Sequence, residues 1–152
     1  MSSSKPPKSP IGYISIRVFA HATEDQERVI QAVKNTLPEE LAETAVFNKT
    51  PLTGHHGNPI TLIETELADR EKLTGVLEKI GKGLISLDKE TLNSEMPLRL
   101  EKGNLYLRFD KQQAFLGQLR FASYDPIHFK VHFRNKTADE IVAICREAGL
   151  LP

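Results

Sequence analysis

Two segments far apart in the chain alternate apolar and polar residues without a break, and they constrain its fold most. Tyr13 to His21 puts Ile14, Ile16, Val18 and Ala20 on one side and Tyr13, Ser15, Arg17, Phe19 and His21 on the other. Ile127 to Arg134 puts Ile127, Phe129, Val131 and Phe133 on one side and His128, Lys130, His132 and Arg134 on the other. A period of two makes each a strand with one dry face and one wet face. Asn104 to Asp110 obeys the same rule, with Leu105, Leu107 and Phe109 opposed to Tyr106 and Arg108. Ala45 to Thr50 and Ile60 to Leu67 read as two more strands. The turn Thr53 to Pro59, with Gly54, Gly57 and Asn58-Pro59, joins them into a hairpin. Leu119 to Ala122 reads as a further short strand.

Between these strands the apolar period lengthens to that of a helix. Thr23, with Gln26 three residues on, predicts an N-cap before the stripe Val29, Ile30, Val33 and Leu37, and Pro38 ends it. Asp69 is placed to cap a helix whose stripe is Leu73, Val76, Leu77, Ile80 and Leu84, with Gly81 and Gly83 weakening its last turn. Residues 85–101 carry a weaker signal: a helical turn over Asp88 to Asn93, interrupted at Pro97. Lys111 to Gln118 reads as a short helical piece. Thr137, with Glu140 in the box position, opens a last helix on Ile141, Val142, Ile144, Cys145 and Ala148. The order predicts one α+β domain over residues 12–152, with a mostly antiparallel sheet and helices packed on one face. Residues 1–11, rich in Ser, Lys and Pro, read as a flexible tail.

Charge bears on what the wet face can do. The 152 residues hold 20 basic and 20 acidic side chains, a formal net charge of zero, which argues against a uniformly basic nucleic-acid coat. The zero is a sum of unlike parts. Residues 24–45 carry −4, and residues 96–136 carry eight bases against Glu101, Asp110 and Asp125, for +5. The outward residues of the alternating strands are cationic and aromatic, with almost no acid among them. Such a face suits RNA: Arg17, Arg108, Lys130 and Arg134 are placed to neutralise phosphates, and Tyr13 and Tyr106 to stack on unpaired bases. His55, His56 and Asn58 would reach in from the hairpin tip.

Other chemistries find little support. The single cysteine, Cys145, falls on a helix's apolar stripe and excludes an intramolecular disulfide and a cysteine-based zinc site. No Walker loop, dinucleotide fingerprint or nucleophile elbow is present, and no cofactor or metal is implied. Paired His55 and His56 leave a small ribonuclease as the weaker alternative. A protein-interaction adaptor that presents the basic face to an acidic surface is the stronger one. No apolar run approaches the roughly 20 residues that span a bilayer, and the first ten residues lack a secretory core. A cytoplasmic protein is expected.

Three runs, in order, resemble a known family. They are Arg17-Val-Phe-Ala-His-Ala-Thr-Glu-Asp25, Gly54-His-His-Gly-Asn-Pro-Ile60, and Asn104-Leu-Tyr-Leu-Arg-Phe-Asp-Lys-Gln-Gln-Ala-Phe-Leu-Gly117. The family is archaeal and is described as RNA-binding and predicted to be exosome-associated. Its fold is similar to that of the large-subunit ribosomal protein that contacts 5S RNA. The resemblance spans about residues 12–135 and leaves the helix near 137–148 outside. It implies an α+β fold, RNA as ligand, exosome or ribosome-associated partners, and no enzymatic activity. By position it points to Arg17, His21, His55, Gly57, Asn58, Arg108, Lys111 and Gln112. His56 stands where the pattern leads one to expect an aromatic residue.

Overall fold

The computed structural model describes residues 9–152, so most of the expected tail lies outside the described residues. Six strands form one sheet: β1 (Ile11–His21), β2 (Asn48–Thr53), β3 (Pro59–Leu67), β4 (Leu100–Glu101), β5 (Asn104–Phe109) and β6 (Ile127–Phe133). Their order is β2-β3-β1-β6-β5-β4, and every neighbouring pair is antiparallel. The helices are α1 (Gln26–Asn35), α2 (Glu39–Thr44), α3 (Arg70–Gly83), α4 (Ser86–Arg99), α5 (Lys111–Phe115) and α6 (Ala138–Glu147). They pack on one side of the sheet and leave the other open.

The two alternating segments become the central pair. Ile14 lies opposite Val131 and Ile16 opposite Phe129. All four are at most 1% exposed, so the dry face is as the alternation predicts. Phe129 meets Phe109 of β5 edge-on at 5.1 Å between ring centroids. Burying each ring stabilises the fold by about 1.5–3 kcal/mol. α3 adds Leu73, Val76, Leu77 and Ile80, and α6 adds Ile141 and Cys145 to the same core. Ile11, read from the sequence as tail, is the first residue of β1 and fully buried. A bulge between Ile11 and Tyr13 keeps Ile11 inward and turns Tyr13 outward.

Several local expectations change. Asp25, not Thr23, caps α1: its carboxylate accepts from Glu27 N–H at 2.9 Å, while the Glu24 side chain folds back to accept from His21 N–H. Asp69 stands at the N-cap of α3 without a side-chain hydrogen bond. β2 begins at Asn48 and runs through Pro51 to Thr53, so the hairpin loop is shorter than the sequence suggests. α4 runs through Pro97, because that residue falls in its last turns and Leu92 and Met96 anchor the helix to the core. The strand expected over Leu119 to Ala122 shrinks to isolated bridges, Leu119 to Leu84 and Phe121 to Phe109. Thr137 and Glu140 form the predicted capping box of α6.

Candidate nucleic-acid interface

Strand register sorts the open face into rows, since directly paired residues share a side. One row runs Asn48, Glu64, Arg17, His128, Arg108 across β2, β3, β1, β6 and β5. The next runs Glu66, Ser15, Lys130, Tyr106, and the next Tyr13, His132, Asn104, Glu101. Arg134 follows just past β6, its aliphatic stem lying against Gly12 so closely that a Cβ there would sit 2.9 Å from Arg134 Cγ. The predicted cations Arg17, Arg108, Lys130 and Arg134 therefore do share one face. Among the described residues none of the four has a carboxylate within ion-pair distance.

The face is less free of acid than the strand pattern suggested. Glu64 and Glu66 on β3 border the cations on one side, and Glu101 on β4 borders them on the other. The basic track is confined to β1, β6 and β5. Within it, burial holds the His128 pKa below the usual histidine range, and the flanking Arg17 and Arg108 push it further down, against an opposing pull from Asp125. His128 thus lies between two guanidiniums that disfavour its protonation. Tyr13, beside Lys130, raises the pKa of that exposed ammonium.

The two tyrosines differ in availability. Tyr13 stacks on His132 at 4.9 Å and 22°, with Lys130 Nζ 5.6 Å from its ring centre, so its ring already has partners. His132 Nδ1 lies 2.8 Å from Asn104 Oδ1, which orients the lower ring of that stack. Tyr106 sits half-buried beside Lys130.

The hairpin tip stands at the β1 C-terminal end of the sheet. Gly54 N–H donates to the Asn58 carbonyl at 2.7 Å and Gly57 N–H to the Gly54 carbonyl at 3.0 Å. Gly57 holds φ +77°, which favours glycine. His55, His56 and Asn58 are exposed, and the two rings meet edge-on at 5.7 Å. With His21 they line a cavity of about 270 Å³, so these four residues are brought together.

Lys111 is the clear correction. The resemblance pointed to it as an RNA-facing residue, yet only 8% of its side chain is exposed. Its ammonium donates to the Phe19 carbonyl at 2.9 Å, to Glu24 at 2.9 Å and to Asp125 at 2.7 Å. It ties β1, the start of α1 and the loop before β6 together, and has no donor left for a phosphate. His21 Nε2 lies 3.1 Å from the same Asp125 carboxylate. Side-chain ligand atoms of His21, Glu24 and Asp125 fall within 4.8 Å of one another, a spacing that would admit a metal ion. The cation of that cluster is the lysine ammonium.

One exposed aromatic escaped sequence reasoning. Tyr124 is 91% exposed, next to Asp125, in the loop that abuts His21. Its signal was its setting, a lone ring within the turn-forming Ser123-Tyr124-Asp125-Pro126.

Comparison with known proteins bears on the family and the fold. A family model described as RNA binding matches residues 13–133. A protein of Pyrococcus abyssi named as RNA-binding is 36% identical over 122 residues, 78% of this chain and 79% of that one. An uncharacterized protein of Methanocaldococcus jannaschii is 33% identical over 141 residues, 85% of this chain and 91% of that one. The solved structure of a DUF54 protein from Methanothermobacter thermautotrophicus matches with a TM-score of 0.73 at 31% identity, covering 93% of this chain and 98% of that one.

Proposed function

The chain belongs to the family described as RNA binding, and from that premise we propose that RNA lies on its open sheet face. The observation that carries this reading is the row Arg17, His128, Arg108: two exposed guanidiniums on either side of an imidazole, with no carboxylate among the described residues within ion-pair distance of either arginine. Guanidiniums left unpaired on a surface are ready to take phosphates, and binding that rests on them weakens with salt. Lys130 and Arg134 extend the track, and His55, His56 and Asn58 approach its end from the hairpin tip. Fluorescence anisotropy with labelled RNA at low salt tests the reading. Arg17→Ala with Arg108→Ala is expected to lower affinity at least about tenfold. No binding by the wild type at low salt would overturn the proposal.

The finer role we assign is non-enzymatic: a cytoplasmic RNA-binding protein serving RNA processing with the exosome, or ribosome-related assembly. Its support is the ordered trio of sequence runs and the fold they imply. Cleavage of labelled RNA by the wild type, lost in a His55→Ala, His56→Ala variant, would overturn the non-enzymatic part. A second reading, as a protein adaptor, is favoured by Phe115 and Leu116 at the end of α5, 39% and 68% exposed. Co-purification after nuclease treatment separates the two. A partner that persists without RNA favours the adaptor.

A further inference from the structure

The open face carries apolar side chains that a solvated sheet surface does not call for. Phe19 of β1 lies opposite Leu62 of β3. In the adjoining row His21 lies opposite Ile60, and Ile60 opposite Leu52 of β2. Phe19, Ile60 and Leu62 are half-buried and Leu52 is 41% exposed. The four come from three neighbouring strands and point to the same side, so they form one apolar strip over the β2-β3-β1 half. Their inward neighbours Val18 and Ile63 are 1% exposed, so the core does not lack apolar residues that these would replace.

The strip's position relative to charge selects its occupant. The row Arg17, His128, Arg108 is the next row along the strands, and two strand residues advance about 7 Å. That matches the reach from a nucleotide's phosphate to its base. The strip itself bears no charged side chain, while Glu64 and Glu66 farther along β3 keep a phosphate backbone off that strand and hold it over β1, β6 and β5. A backbone following the cations turns its bases toward the strip only if those bases are unpaired. In a duplex the bases face inward and present phosphates and sugars instead.

Resting on the RNA-binding reading above, we infer that Phe19, Leu62, Ile60 and Leu52 form a nucleobase platform, and that the ligand of this face is RNA with unpaired bases. Phe19 supplies the ring on which a base stacks, and the three aliphatic side chains cover its edge and the base beside it.

The test compares a labelled single-stranded oligouridine with a labelled RNA duplex of equal length, by anisotropy at low salt. The proteins are wild type, Phe19→Ala, and Leu62→Ala with Leu52→Ala, each checked for an unchanged thermal melt. Leu52 lies on an edge strand, so the second variant reports even if Phe19→Ala proves unstable. The expected result is tighter binding of the single strand, and a loss of about tenfold in each variant for the single strand alone. Equal affinity for both RNAs, unchanged in the platform variants but lost in the arginine variant, would overturn the platform and leave the RNA-binding reading standing. No binding of either RNA overturns both. A wild type that sediments as a dimer, and as a monomer in the leucine variant, would overturn the platform in favour of a second copy of this chain.

Discussion

Replacing Lys111 by methionine separates a structural cation from a ligand-binding one. The ammonium donates to three acceptors, the Phe19 carbonyl, Glu24 and Asp125, at 2.9, 2.9 and 2.7 Å. Methionine keeps an unbranched stem of similar length and removes the charge and its donors. Two carboxylates then face each other without the cation between them. Removing one partner of a buried pair costs about 3–5 kcal/mol. Glu24 and Asp125 retain 30% and 22% side-chain exposure, so water recovers part of that loss. His21 also stays within reach of Asp125. The expected destabilisation is about 2–3 kcal/mol. With a urea slope of about 2 kcal/mol/M, the unfolding midpoint falls by about 1–1.5 M. Circular dichroism during a urea titration reads this directly. Adding Glu24→Gln and Asp125→Asn should restore much of the loss, because the repulsion goes with the charges. RNA affinity in the absence of denaturant should change by less than about twofold, since the side chain does not reach the open face. A midpoint within about 0.3 M of wild type would refute the structural role. So would a loss of RNA affinity as large as that of the paired arginine variant.

His128 predicts a pH dependence with two opposite signs. A phosphate seated beside the ring stabilises its protonated form, so RNA affinity should rise as pH falls from about 7 toward 6, and His128→Gln should flatten that slope in anisotropy titrations. Folding responds the other way. Burial first, then Arg17 and Arg108, lower the folded pKa below the unfolded value of 6.5. This contribution to stability is therefore fully present above that value and is lost as pH falls through the window beneath it, which urea midpoints measured across the window would record. Burial pushes the Cys145 thiol up to about 12, so the native protein should resist iodoacetamide at mildly alkaline pH while the urea-unfolded chain reacts. Mass spectrometry distinguishes the two, and equal labelling would contradict the buried placement. Thr137→Ala removes the capping box of α6 and should cost about 1 kcal/mol, or about 2–4 °C in a calorimetric Tm.

What the sequence disclosed depended on how local the physics was. β1, β5 and β6 were legible because a strand with one dry face writes a period of two into consecutive residues. The capping box at Thr137 was legible because its partner, Glu140, is three residues away. α4 was not, since it buries only Leu92 and Met96 and its other positions carry no stripe. Thr23 was mistaken for the cap of α1 because Asp25 and Glu24 compete for the same role, and Glu24 is drawn aside by Lys111. Lys111 itself could not be read. Its partners Glu24 and Asp125 lie 87 and 14 positions away, and only the assembled sheet brings them to one point. The site divides the same way. Alternation put Arg17, His128 and Arg108 on an outward face. That they form one row requires the order β1-β6-β5, which a chain running from β1 through the hairpin, two long helices and β5 before β6 does not announce. The acidic border on β3 was invisible for the same reason, since Glu64 acquires its place beside Arg17 only through register.

That border explains how a chain of zero net charge can hold a polyanion. Long-range attraction is weak, because the acids on α1, α2 and β3 cancel the basic strands beyond a Debye length of about 10 Å. At contact distance the cancellation fails: Arg17, Arg108, Lys130 and Arg134 stand on one side of the sheet, and the carboxylates nearest them line the flanking strands instead of pairing with them. If the four permanent cations of the proposed face are its phosphate contacts, then at about 0.7 counterions released per single-strand phosphate the salt slope at neutral pH should not much exceed 3. A coat protein needs a larger slope to hold any RNA it meets. A slope this shallow leaves a larger share of the binding to contacts that salt does not weaken, which are base contacts. The charge distribution therefore argues, independently of the apolar strip, for a ligand whose bases are accessible.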